Sequence, residues 1–215
     1  MELVRVDTQR AYQQIRQQII ELTLPPGAPI DEQALAAELD LGPTPVREAL
    51  RLLAHDELVT VTPHHGLYVS TVGPDELAQF SELRLTLEGL AARLAAQRAT
   101  ADDLAVLDAL CQALPQIPAE ESDRLLEVDG RFHQAIAQAA HNRYLARTLN
   151  HYLGQSQRLW HLAQPQLSFL PAAVEEHLAL TVAISAGEAE RAERLMRAHV
   201  QEFYDRVHHI LNHAA

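Results

Sequence analysis

Residues Pro29 to Val69 read PIDEQALAAELDLGPTPVREALRLLAHDELVTVTPHHGLYV, and the order of caps, breaks and β-rich runs in this stretch decides the N-terminal architecture. Asp31 is a helix-capping residue ahead of Ala34, Leu35, Ala36 and Leu39, which share one side of a short helix. Leu41-Gly42-Pro43 ends that helix, because Gly tolerates unusual backbone angles and Pro cannot continue the hydrogen-bond ladder. A second helix opens at once. Thr44 is the expected N-cap, Pro45 suits the first helical position, and Glu48 favours the positive end of the dipole. Val46, Ala49, Leu50 and Leu53 form its inward stripe, while Arg47 and Arg51, one turn apart, face outward. Leu58-Val59-Thr60-Val61 and Leu67-Tyr68-Val69-Ser70 are β-rich and are joined by Thr62-Pro63-His64-His65-Gly66, which predicts a hairpin and wing. That order is a winged helix-turn-helix, whose second helix enters a DNA major groove.

Working outward, Ala11, Ile15, Ile19 and Leu22 recur at helical spacing within Thr8 to Leu24, so a support helix capped by Thr8 is expected ahead of the motif. After the wing, Val72-Gly73-Pro74-Asp75 is a short linker, and no alternating β-rich run follows it. Helices are predicted near 75–98, 101–114, 119–140, 142–163, 171–186 and 188–212, divided by Ala99-Thr100, Pro115 to Pro118, His141-Asn142, Gln164-Pro165 and Gly187. Six helices with short links make an antiparallel bundle. The 215 residues therefore divide into a winged helix-turn-helix over 1–73 and an all-helical domain over 74–215, a mainly α chain.

The single Cys111 excludes an internal disulfide framework, and no long apolar run follows Met1-Glu2-Leu3-Val4-Arg5, so no membrane association and a cytoplasmic location are expected. The net charge of −12 runs against a simple nucleic-acid reading, since duplex affinity comes largely from neutralised phosphates. Residues 1–75 hold five arginines against eleven acids. A homodimer, which doubles the contacts, and backbone amides at helix starts offset this deficit. No P-loop, dinucleotide-binding glycine pattern, Cys-x-x-Cys or Gly-x-Ser-x-Gly is present, which removes the usual signatures of nucleotide enzymes and serine hydrolases.

Among the 12 histidines, three stand in a pattern with one acid. Asp129 and His133 are four apart on one predicted helix and emerge from one face. His177 lies ten residues before Gly187 and His199 twelve after it, roughly 15 and 18 Å from the reversal at a rise of about 1.5 Å per residue. On antiparallel neighbours the two imidazoles reach the same height, and Asp129 with His133 could close the set. Three imidazoles and a carboxylate suit a divalent transition ion such as Zn²⁺, Ni²⁺ or Mn²⁺, with coordination positions left open for a ligand. For any one of these residues taken singly, a solvated or core side chain is the competing reading. His141, His151, His161, His208, His209 and His213 show no such partnership in the sequence. Trp160, Phe169 and Tyr204 are expected in core or interface packing, and Arg191, Arg194 and Arg197 on a solvated face.

Pro26-Gly27, Leu35-Ala36, Pro45 to Leu50 and the wing Gly66 follow in order the pattern of the DNA-binding domain of the GntR family of bacterial transcription regulators, which this segment resembles. The resemblance implies that Thr44, Arg47, Arg51 and the wing tip His64-His65-Gly66 lie near operator DNA. Where many members carry Ser-Arg before the Thr-Pro, this chain has Gly42-Pro43. Asp129-x-x-Phe132-His133, Asn142-x-x-Leu145, His177 with Gly187-Glu188, and Met196-x-x-His199 resemble the FCD ligand-binding domain of the FadR-type branch. In its metal-binding members, the resemblance implies, Asp129, His133, His177 and His199 are the ligands. Leu83-Arg84-Leu85-Thr86-Leu87-Glu88 is similar to the Arg-x-x-Leu-Glu of the first helix of that bundle. Arg84 then either meets a ligand carboxylate as a bidentate partner or closes an internal salt bridge to Glu88 or to a neighbouring helix.

These features lead to a ligand-responsive transcription regulator without turnover, a homodimer on a palindromic double-stranded operator that senses a small organic acid at a metal site. A metalloenzyme built on the same three-His, one-Asp set is the rival, although it leaves the winged domain idle and lacks an evident general base. A regulator whose metal is structural, or is itself the signal, is the third reading.

Overall fold

The computed structural model describes residues 2–118, 120–164 and 170–213 and divides into two compact units, Met1–Gly73 and Pro74–Ala215. In the first unit, helix α1 (Glu2–Ile20) packs on α3 (Pro43–His55), with α2 (Glu32–Glu38) between them in sequence. Ala11, Ile15 and Ile19 of α1 meet Val46, Ala49, Leu50 and Leu53 of α3 in one core that also takes Leu35, Ala36 and Leu39. Burying this apolar stripe, more than helix propensity, is what holds each short helix.

Three strands complete the unit: β1 (Pro29–Ile30), β2 (Val59–Thr62) and β3 (Gly66–Val69), in spatial order β1-β3-β2 and antiparallel throughout. Thr62 pairs with Gly66, which fixes the wing tip at Pro63, His64 and His65. The expected hairpin is therefore present. The two-residue β1 was not foreseen from sequence, because it exists only by pairing Pro29 with Tyr68 and Ile30 with Leu67.

Two capping expectations are corrected. Thr8 lies inside α1 rather than capping it, since nothing in Glu2 to Asp7 breaks a helix. Gly42, at φ −70° and ψ 159°, is the N-cap of α3, and Pro43 takes the first helical position that its ring prefers. Thr44 is thus the second helical residue, and no side chain caps α3. Asp31 caps α2 as expected, accepting from the Gln33 and Ala34 amides at 2.8 and 3.1 Å.

The second unit contains, among the described residues, α4 (Pro74–Arg98), α5 (Ala101–Ala113), a 3-10 turn (Leu114–Gln116), α6 (Ser122–Ala139), α7 (Arg143–Ala163), α8 (Leu170–Ser185) and α9 (Ala189–His213). The six predicted helices are present with ends shifted by a few residues; position 119, the predicted start of α6, and Phe169 lie outside the described residues. Thr100 and Asp103 form a reciprocal capping box at α5, and Asn142 caps α7. Gly187, at φ +70°, closes the α8–α9 reversal, where the Glu188 amide donates to the Ala183 carbonyl at 2.9 Å. Helix α4 packs most extensively on α9, and Gly89 lets them approach, since a Cβ there would sit 2.8 Å from Arg197 Cγ. No helix among the described residues is long and apolar enough to cross a membrane.

Candidate metal centre and DNA-reading face

Helix α6 presents Asp129 and His133 inward, one turn apart, and the α8–α9 reversal brings His177 and His199 to the same level. One ligand atom from each of the four lies within 4.8 Å of the others. The three imidazoles are at most 8% exposed. His133 Nε2 is 3.3 Å from His199 Nε2 and 3.9 Å from Asp129 Oδ2, and His177 Nε2 is 3.3 Å from Asp129 Oδ1. Despite that approach, His177 Nε2 and Asp129 Oδ1 are buried without a hydrogen-bond partner. Buried polar atoms are otherwise almost always paired, so two that converge unpaired beside two further imidazole nitrogens fit a shared cation.

The outer nitrogens are held by acids. Glu88 of α4 sits 2.8 Å from His133 Nδ1, and Glu176 of α8 sits 2.6 Å from His199 Nδ1. A carboxylate on Nδ1 fixes the tautomer that leaves Nε2 free as a ligand. Glu88 is itself paired with Arg84 inside the bundle, and Arg84 also donates to Ser156 Oγ at 2.6 Å. Burial opposes the charge on Glu88, but Arg84 and His133 outweigh it and hold the carboxyl at about 2. Burial pushes His177 down to about 4, against the opposing pull of Asp129, so its imidazole is neutral near pH 7. Burial also disfavours a charge on His133, yet Glu88 and Asp129 raise it above the ordinary value.

Glu176 was missed in the sequence because it neighbours a ligand in the chain but serves a different one, His199, 23 residues away. Glu88 was foreseen only as a partner for Arg84; its contact with His133 joins helices 45 residues apart. His141, outside the metal-ligand pattern in the sequence, pairs with Asp103 at 2.8 Å. Trp160 and Tyr204 are buried, and Arg191, Arg194 and Arg197 are exposed, as expected.

A cavity of about 70 Å³ adjoins the cluster, with Asp129, His133 and His199 on its wall and Arg84, Gln157 and Arg206 among its polar lining. Arg84 closes the ion pair with Glu88, one of the readings weighed for it in the sequence, and it also borders the cavity.

On the winged unit, Thr44, Arg47 and Arg51 are exposed along α3, and His64, His65 and Gly66 are exposed at the wing tip. His64 has φ +65° and Gly66 φ +102°; the His65 amide donates to the Thr62 carbonyl at 3.0 Å, and Tyr68 Oη donates to the His65 carbonyl at 3.1 Å. Both arginines carry acidic partners: Arg47 Nε donates to Glu32 at 3.0 Å and Arg51 Nη1 to Glu48 at 2.6 Å. Exposed pairs of this kind contribute little and are readily exchanged for another anion.

Residues 7–69 match the model of the bacterial regulatory proteins of the gntR family, and residues 79–202 match that of the FCD domain. The HTH-type transcriptional repressor RspR of Escherichia coli strain K12 is 27% identical, over 94% of this chain and 89% of its own length. A probable D-xylose utilization operon transcriptional repressor of Paenarthrobacter nicotinovorans is 32% identical, over 86% of this chain and 82% of its own. The solved structure of E. coli McbR/YncC superposes with a TM-score of 0.77 at 25% identity, covering 93% of this chain and 97% of that one. The relatives named above bear the names of transcriptional repressors, which sets the metalloenzyme reading aside. With a winged head, a six-helix unit and both matches in register, the chain belongs to the GntR family of DNA-binding transcription regulators and carries an FCD domain.

Proposed function

We propose that this regulator is of the FadR type, acts in the cytoplasm as a homodimer on a palindromic operator, and senses a small organic acid beside a divalent transition ion held by Asp129, His133, His177 and His199. The observation that carries the reading is the pair of buried, unpartnered atoms, His177 Nε2 and Asp129 Oδ1, converging with two more imidazoles. Zn²⁺, Ni²⁺ and Mn²⁺ all suit this donor set, and a bound ion supplies Lewis acidity toward a carboxylate. The adjoining cavity supports an acid effector, since Arg84, Gln157 and Arg206 bring donor-bearing side chains to the same lining as Asp129, His133 and His199. Thr44, Arg47, Arg51, His64, His65 and Gly66 are the residues assigned to operator contact, the arginines exchanging Glu32 and Glu48 for phosphate or base edges. Two of the relatives bear the name repressor, which favours repression relieved by the effector. An effector that prefers the low-affinity conformation weakens operator binding by the same factor that operator weakens effector binding.

The test is elemental analysis of the purified chain, followed by calorimetry of a panel of small organic acids against metal-loaded and stripped protein. About one equivalent of metal per chain, lost in His177→Ala and kept in His209→Ala, is the expected result. Equal loss in both variants would refute the ligand assignment. Equal acid affinity with and without metal would leave the ion a structural role, and a DNA response to metal alone would make the ion the signal.

A further inference from the structure

Helix α4 is apolar on two sides. Its inner side, Leu77, Ala91, Ala92 and Ala95 with the Arg84–Glu88 pair, is buried in the bundle. A second row, Leu83, Leu87, Leu90 and Leu94, lies about a third of a turn away at spacings of four, three and four. Leu83 and Leu90 are 36% and 40% exposed, and Leu87 and Leu94 are half-buried. A helix that is apolar all round is normally buried all round, and leucines at alternating three- and four-residue spacing form the seam of paired helices.

The charges along α4 select the occupant. Asp75, Glu76 and Glu82 lie in its N-terminal half, and Arg93 and Arg98 in its C-terminal half. Two copies related by a two-fold axis crossing near residues 88–89 set Leu83 against Leu94 and Leu87 against Leu90. The same operation lays each acidic end over the other's basic end, and the helix dipoles also oppose. A parallel pairing would set like charges together. Arg93 already holds Glu193 at 3.3 Å and Glu190 at 3.6 Å, and with 44% of its side chain exposed and five N–H donors it can still reach an acid of the second copy. The α5–α8 side also exposes Val106, Leu178 and Val182, without a four-membered leucine row or a division of charge.

We infer that the outer leucine row of α4 is a self-association surface, on which a second copy of this chain packs its own α4 antiparallel. The inference rests on the homodimer reading above and gives it a place.

Two measurements on the full chain test it. In light scattering, wild type is expected to be a dimer at micromolar concentration, Leu90→Glu a monomer with wild-type helical content, and Val182→Glu still a dimer. In a Cys111→Ser background, oxidising a mixture of Leu83→Cys and Leu94→Cys chains should cross-link the two kinds together. Each kind alone should not, because like positions would stand 11 residues apart, about 17 Å along the helices. The cross-link experiment decides the matter if Leu90→Glu fails to fold. A monomeric wild type would overturn the homodimer reading itself. A dimeric wild type with a dimeric Leu90→Glu and no mixed cross-link would overturn only the α4 surface, as would monomerisation by Val182→Glu alone. Efficient cross-linking of a single kind would overturn the antiparallel arrangement.

Discussion

Replacing Glu88 by Gln keeps the shape of the side chain and removes its charge from between Arg84 and His133. Glu88 is 2% exposed and Arg84 5%, so the guanidinium left behind keeps only Ser156 and the small cavity it borders in place of a charged partner. Breaking a buried pair in this way costs about 3 to 5 kcal/mol. The carboxyl itself gives a similar figure: moved from 4.5 to about 2, it corresponds to roughly 3 kcal/mol at 1.36 kcal/mol per decade. Its folded-state value lies below the unfolded one, so this contribution is complete above pH 4.5 and fades as pH falls toward 2. Urea unfolding of metal-stripped protein at pH 7, followed by the emission of the single Trp160, reports on the helical unit that contains the pair. The expected loss is about 3 kcal/mol, narrowing as the measurement moves below pH 4.5. Metal affinity, measured by competition with a chelator, should fall about 10- to 100-fold because His133 loses the carboxylate that orients it. Stability within about 1 kcal/mol of wild type at pH 7, with metal affinity unchanged, would show that Arg84 and His133 find equivalent partners without Glu88 and would refute the reasoning.

On the DNA face, Arg47→Ala should weaken operator binding by about 1 to 3 kcal/mol in a gel-shift titration at fixed salt while leaving metal content unchanged; undiminished affinity would remove Arg47 from the interface. Glu32→Gln should act in the opposite sense, tightening binding by roughly 1.5- to 5-fold, because Arg47 no longer exchanges a surface pair worth about 0.2 to 1 kcal/mol for DNA. Tyr12→Phe should destabilise the winged unit by about 1 to 2 kcal/mol at pH 8 by circular dichroism, since Tyr12 donates to Asp56 at 2.5 Å. Burial and Asp56 raise Tyr12 from 10.0 to about 12, so its contribution is complete below pH 10 and is lost toward pH 12. The two unfolding curves should therefore converge over that interval, and a constant offset would contradict the assignment.

Local chemistry was enough to place the helices. The breaks at Gly42-Pro43, Ala99-Thr100, His141-Asn142 and Gly187 are backbone preferences of single residues, so the sequence by itself determined the winged motif and the helices found after it among the described residues. It also determined which histidines could meet, because the His177 and His199 heights follow from counting residues to one reversal. The cap of α3 was misplaced by two residues because Thr44 and Gly42 both have cap chemistry, and only the extended backbone at Gly42 distinguishes them. Strand β1 could not be read from two residues whose only support is a partner strand nearly 40 positions away. The same reason hid the acids behind the cluster: Glu88 reaches His133 and Glu176 reaches His199 across helix–helix contacts, and no spacing rule records a side chain's neighbour on another helix. Side-chain type and helical period are local and legible in the chain. Which atoms are left buried without a partner, as at His177 Nε2 and Asp129 Oδ1, is settled only when four helices have packed and excluded water from the space between them.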